Sequence, residues 1–180
     1  MPEPLLTIGH GTQPLERLVT ALTMADVSLL VDVRRFPGSR RNPQFGREAL
    51  EPELAGAGIE YRHDERLGGR RSLPPGDTRF AVWTNPSFRA YAAHMTTEAW
   101  RTAFGLLHEA AEERRVAVLC AETTPWRCHR RLIADAAVAS GWEAFDVIGP
   151  GVVRRHALAP PADPLAVGEL RYGEDVAFRA

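Results

Sequence analysis

The chain has 180 residues, 44% of them hydrophobic and 25% charged, and a formal net charge of −1, which fits one ordinary globular domain with a substantial core. Its two cysteines, Cys120 and Cys128, exclude a disulfide framework, and no apolar run approaches the roughly 18 residues of a membrane helix. The first residues carry Glu3 and two prolines where a signal peptide needs basic charge and a long apolar run, so a cytoplasmic protein that engages no membrane is expected.

All 22 basic residues are arginine. A genome rich in G and C explains that bias most simply, so the count alone does not select for bidentate anion recognition. The distribution is more informative. Arg34, Arg35, Arg40, Arg41 and Arg47 fall in a stretch with no acidic residue between the first and the last, so one face can be positive while the total stays near zero.

In chain order, Leu5 to Ile8 reads as a strand that runs into the turn Gly9-His10-Gly11. Leu15, Leu18, Val19 and Leu22 recur at helical spacing, with Thr12 expected as the cap. Val27 to Val33 is too apolar to alternate and reads as a strand buried on both faces, with Asp32 near its end. Residues 46–57 are weakly helical, and Pro52 predicts a short or broken helix. A third strand is expected over Gly58 to Tyr61. From His63 to Asn85, Gly68-Gly69, Pro74-Pro75-Gly76 and few apolar anchors predict a long loop or lid.

Helices follow over Pro86–Met95 and Glu98–Glu113, and then a buried strand over Val116 to Ala121 carrying Cys120, with Glu122 beyond it. Pro125 is expected in the first turn of a helix capped by Thr124, whose first turns present Arg127, Cys128, His129, Arg130 and Arg131 and which ends at Ser140-Gly141. Ala144 to Ile148 reads as a last strand. Residues 1–149 thus form one α/β domain. Residues 150–180 are a Pro-rich extension whose Leu170, Tyr172, Val176 and Phe178 would pair with a sheet edge, dock on the body or join two copies in a homodimer. Alternating strands and helices predict a mostly parallel sheet covered on both sides.

On that topology His10, Asp32, Arg34, Cys120 and Glu122 all leave carboxyl ends of strands, where α/β proteins put ligands. Arg34, Arg40, Arg130 and the N–H groups after Pro125 are expected to hold one phosphate, with Cys128 beside them. Glu122, His129, His10 and Asp32 would supply acid–base chemistry. Each has a plainer use: Cys120 ends a buried strand, where a cysteine is more often a small core residue than a nucleophile, and Asp32 suits an anchor for Arg34. The spacing from Cys120 to Arg127 is one residue too long for a phosphatase loop. A zinc site would have to recruit His129 and His10 without any metal-finger spacing, so no metal and no cofactor is expected.

The motifs Thr7-Ile8-Gly9-His10, Asp32-Val33-Arg34 with Pro37 and Ser39-Arg40, Gly58-Ile59 with Tyr61, Leu67-Gly68-Gly69, and Cys120-Ala121-Glu122 with Cys128-His129-Arg130 occur in one order. In them the chain resembles the domain-of-unknown-function family numbered 488, over about Thr7 to Ile148. The resemblance implies a compact α/β fold of Rossmann-like type and no established activity. It also implies a histidine in the last strand, where this chain has Asp146. Two functions are open at this stage: an enzyme acting on a nucleotide or nucleic acid, or a non-catalytic module binding the same ligands. Thiol chemistry at Cys120 and Cys128 is a weaker third. Clustered carboxylates and histidines beside arginines favour the enzyme.

Overall fold

Strand β1 (Leu5–Gly9) lies inside a six-stranded sheet because every one of its residues is buried. The computed structural model describes residues 1–38, 40–164 and 168–180, so the Ser39 motif position lies outside the described residues. After β1 come α1 (Leu15–Met24), β2 (Leu29–Asp32), α2 (Arg47–Gly56), β3 (Glu60–His63), α3 (Pro86–Met95), α4 (Glu98–Glu113), β4 (Val116–Cys120), α5 (Arg130–Ala139), β5 (Ala144–Gly149) and β6 (Val152–Arg155). The strand order is β3-β2-β4-β1-β5-β6, parallel except for the last pair. The dinucleotide-binding order 3-2-1-4-5-6 differs in having β1, not β4, beside β2.

Alternation along the strands divides the core. Leu6, Ile8, Leu30, Ala117 and Leu119 face α1 and α2, whereas Leu5, Leu29, Val31, Val116 and Val118 face α3, α4 and α5. The second face also takes the hairpin β7 (Glu169–Tyr172) and β8 (Asp175–Arg179), through Leu170, Tyr172 and Phe178. Residues beyond Gly149 therefore do two things: β6 extends the sheet, and the hairpin completes a core layer. No helix among the described residues is long and apolar enough to cross a membrane.

Several local expectations need correction. Thr12 does not cap α1; Pro14 occupies that position, without a side-chain hydrogen bond. Pro52 does not break α2, because it stands on the exposed face and removes one backbone bond, to a carbonyl that water can reach. The third strand starts two residues later than expected, at Glu60. The stretch from His63 to Asn85 is better anchored than its composition suggests. Leu67, Phe80 and Trp83 are buried, and the Tyr91 hydroxyl and the His94 ring donate to the carbonyls of Leu67 and Arg66 at 2.7 Å each. The strand over Ala144 to Ile148 is followed by three more.

The largest correction concerns the segment after β4. Residues 125–127 form one 3₁₀ turn, Cys128 is extended at φ −126° and ψ 146°, and α5 starts only after His129. Thr124 makes no side-chain cap. The N–H groups of Arg127 and Cys128 bond back to the carbonyls of Thr124 and Pro125, so they are not available to an anion.

Candidate functional site: a crevice floored by two thiols and an imidazole

The parallel register puts Gly9 beside Cys120 and Asp32 beside Leu119, so the polar residues that follow these strands gather at one edge of the sheet. Backbone bonds carry the β1–β4 ladder past the strand ends, from His10 N–H to the Cys120 carbonyl (3.0 Å) and from Gly11 N–H to that of Ala121 (2.9 Å). Two adjoining cavities of about 340 and 470 Å³ open there and share Arg34, Phe36, Arg70, Ala121 and Glu122.

One group of expected site residues turns out to be committed to structure. Asp32 is fully buried, and its two oxygens accept the N–H and Nε of Arg34 (3.0 and 2.9 Å), Arg34 Nη2 (2.6 Å) and the Tyr61 hydroxyl (2.7 Å). Arg34 Nη2 also donates to the Phe45 carbonyl, and Nη1 lies 3.2 Å from His10 Nε2. His10 Nδ1 donates to the Gly11 carbonyl and its ring stacks on Phe45, so its free ring nitrogen is the acceptor for Arg34. Burial, helped by the Arg34 charge, lowers the His10 pKa against the pull of that backbone bond. A neutral His10 with both nitrogens engaged is a spacer for Arg34, and Arg34 has one N–H left over. Asp32 lines neither cavity, whereas His10 lines the larger one with both ring nitrogens engaged.

Arg130 and Arg40 leave the expected phosphate pocket for opposite reasons. Arg130 is fully buried and lines neither cavity; its Nη2 supports the Thr123 carbonyl at 2.7 Å from beneath, while Nε and Nη1 have no hydrogen-bond partner. Arg40 is exposed and lines neither cavity. The arginines that do line them are Arg34, Arg35, Arg70 and Arg127, against one carboxylate, Glu122. Arg35, Arg70 and Arg127 form no ion pair among the described residues. Arg70 sits at φ 56°, a left-handed conformation uncommon for a side chain of its size, and its carbonyl accepts from Arg35. Glu122 is exposed and its Oε1 accepts the Thr124 N–H at 3.2 Å.

The second group meets on the cavity floor. His129 Nδ1 lies 3.8 Å from Cys120 Sγ and 3.7 Å from Cys128 Sγ. The break in the chain at Cys128 makes this possible, since a helix running straight on from Pro125 would not turn both Cys128 and His129 toward β4. Gly69 closes the side, because a Cβ there would stand 2.8 Å from His129 Nδ1. Cys120 is held well below the usual thiol range by the hydrogen bond from Cys128, against burial and with help from the His129 ring and the Glu122 N–H. Cys128 is pushed well above it, first by donating to Cys120 and then by burial. The two thiols are thus pushed in opposite directions, and Cys120 is the one favoured as the thiolate.

Sequence reasoning passed over Arg70 and Arg127. The first had only the adjoining Gly68-Gly69 as a signal, and the second was set aside by a spacing rule for a different loop. It also missed Tyr61, which completes the Asp32 shell. Asp146 accepts from Thr7 (2.6 Å) and from His156 (3.1 Å), so the imidazole near the fifth strand arrives from ten residues downstream.

A mostly parallel α/β domain with an arginine-lined crevice at the carboxyl edge of its sheet is thus the class that fold and site define. Within it, the chain belongs to the family described as Domain of unknown function DUF488, whose model matches residues 14–137. The matched span takes in Cys120, Cys128 and His129 but not the Thr7–His10 motif or the tail. No curated protein and no solved structure matches the chain.

Proposed function

We propose that the crevice is the active site of an enzyme acting on a phosphate-bearing substrate, with Cys120, Cys128 and His129 as its reactive centre. The observation that carries this reading is the position of the Cys120 sulfur, beside Cys128 and His129, on the floor of a cavity whose rim holds Arg35, Arg70 and Arg127. Guanidinium groups without a carboxylate partner favour an anionic ligand, and a charge-assisted arginine–phosphate contact contributes about 1.5–3 kcal/mol. Phe36, 60% exposed where the two cavities adjoin, offers a flat face for a base, so a nucleotide suits the site better than free phosphate. The carboxylate and imidazole chemistry expected of Asp32 and His10 is replaced by thiolate chemistry, with Glu122 the one acid–base group on the rim.

A panel of phosphomonoesters, phosphodiesters and nucleotides assayed for turnover, with binding followed by calorimetry, tests the reading. The wild type is expected to turn over at least one ligand that it binds. Cys120→Ser is expected to keep binding and lose turnover by about a hundredfold or more. Binding without turnover in the wild type would instead support a non-catalytic nucleotide-binding module. Absence of both would end the proposal.

A further inference from the structure

We propose that Cys120 Sγ, Cys128 Sγ and His129 Nδ1 hold a soft or borderline divalent metal ion of the zinc class, with a fourth coordination position open to the cavity. The three candidate ligand atoms all lie within 4.8 Å of one another. A tetrahedral ion about 2.3 Å from sulfur and about 2.1 Å from nitrogen sets sulfur–nitrogen separations of about 3.6 Å. The observed 3.8 and 3.7 Å are close to that without movement of the backbone. Two thiolates and an imidazole select zinc, copper or iron over magnesium and calcium, which take oxygen ligands.

The surroundings fit an ion in two further ways. Each sulfur faces a backbone N–H, that of Glu122 for Cys120 and that of Arg130 for Cys128, and such bonds spread the charge of bound thiolates. All three residues line the cavity of about 340 Å³ that also holds Arg127 and Glu122, which leaves the remaining side of a tetrahedral site toward the space where a ligand would enter. Three protein ligands with one open position is the pattern of catalytic rather than structural zinc. A divalent ion there cancels the charge of two thiolates, and when bound it would polarise a phosphoryl oxygen held by the arginine rim.

The inference rests on the crevice being the active site, and it makes Cys120 a ligand rather than an attacking group. The spacing Cys-x₇-Cys-His resembles no finger motif, which is why the sequence gives no warning of it: the ligands are assembled by a strand end, a chain break and a helix start.

Cobalt(II) titrated into reduced, chelator-treated protein is the probe. The expected result is one equivalent bound, with a near-ultraviolet thiolate-to-cobalt charge-transfer band, intense visible bands of tetrahedral cobalt, and displacement by zinc. Cys128→Ser and His129→Ala are each expected to weaken zinc binding by about a hundredfold or more. Cys128→Ser is close to isosteric, and its thermal melt checks that it folds. Zinc is also expected to protect both thiols from alkylation. Absence of a charge-transfer band, or cobalt binding unaffected by either substitution, would overturn the proposal. Calorimetry of a nucleotide with the metal-free protein separates the two claims. If the nucleotide still binds in an Arg70-dependent way while no metal does, the metal site falls and the reading of the crevice stands.

Discussion

Gly9 shows how closely the site is packed. A Cβ there would stand 1.9 Å from the Glu122 carbonyl oxygen and 2.3 Å from Arg130 Nη1. The carbonyl belongs to the backbone of the loop that follows Cys120, so it cannot yield as a side-chain tip would. Gly9→Ala is therefore expected to displace residues 121–123 and to cost about 1–3 kcal/mol, read as a lower midpoint in urea. A midpoint equal to the wild type would show that the loop does not rest on Gly9. At Gly69 the obstacle is the His129 ring, which can rotate, so Gly69→Ala should affect the thiols more than stability. The thiols have their own signature. The Cys120 thiol is held below its ordinary range and that of Cys128 above it, so alkylation of the metal-free protein followed by mass spectrometry against pH is expected to find Cys120 reacting well below the range of a free thiol. An inflection for Cys120 at the ordinary thiol value of about 8.5 would contradict this.

At the scale of elements, the ends of β1, β2 and β4 make the site. Asp32 at the end of β2 accepts four hydrogen bonds from Arg34 and Tyr61, and it orders the start of the loop that carries Arg35 and Phe36. Removing a carboxylate paired with a buried guanidinium leaves that charge uncompensated. Asp32→Ala is thus expected to destabilise the fold by about 3–5 kcal/mol, measured by denaturant unfolding, whereas Glu122→Gln on the exposed rim should change stability by less than about 0.5 kcal/mol. Equal effects of the two would mean that Asp32 is not the anchor described. Much of this was legible in the sequence. The helices over Pro86–Met95 and Glu98–Glu113 were read to the residue, because apolar spacing and a proline or threonine at the start mark them clearly. The strand ends were placed well enough to predict one shared edge. What was not legible was conformation without periodicity: the turn and break at residues 125–129, the anchoring of residues 63–85 by Phe80 and Trp83, and the continuation of α2 through Pro52. Side-chain commitment was hidden for the same reason. Asp32 as an anchor for Arg34 is legible in the sequence, but nothing in the one-dimensional pattern says that the same guanidinium also engages His10 and Phe45, or that Arg130 lies beneath the loop rather than in the cavity.

At the scale of the whole molecule, a buried polar knot ties the last 30 residues to the sheet. His156 lies 2.8 Å from Asp135 on α5 and 3.1 Å from Asp146 on β5, and the Tyr172 hydroxyl donates to Asp135 at 2.8 Å. Thr7 on β1 and Arg131 on α5 also face these carboxylates. Burial works against the His156 cation, but the two carboxylates outweigh it and raise its pKa from 6.5 to about 9. A histidine whose folded pKa exceeds its unfolded value contributes stability in full below pH 6.5 and loses it as the pH rises toward 9. The melting temperature is therefore expected to fall between pH 6.5 and 9 in the wild type and to be flatter over that window in His156→Gln. A wild-type profile as flat as that of the variant would show that the knot does not hold a proton.

Ligand binding in the crevice depends above all on its arginine rim. Calorimetric titration of a nucleotide at low salt into the wild type, Arg70→Ala and Arg155→Ala is the most direct measurement. Arg70 lines both cavities, and losing its contact is expected to weaken binding about tenfold or more, since about 1.4 kcal/mol corresponds to a factor of ten. Arg155, on β6 and paired with Glu143, is expected to leave the affinity unchanged. No binding by the wild type, or equal affinity in Arg70→Ala and the wild type, would contradict the central claim.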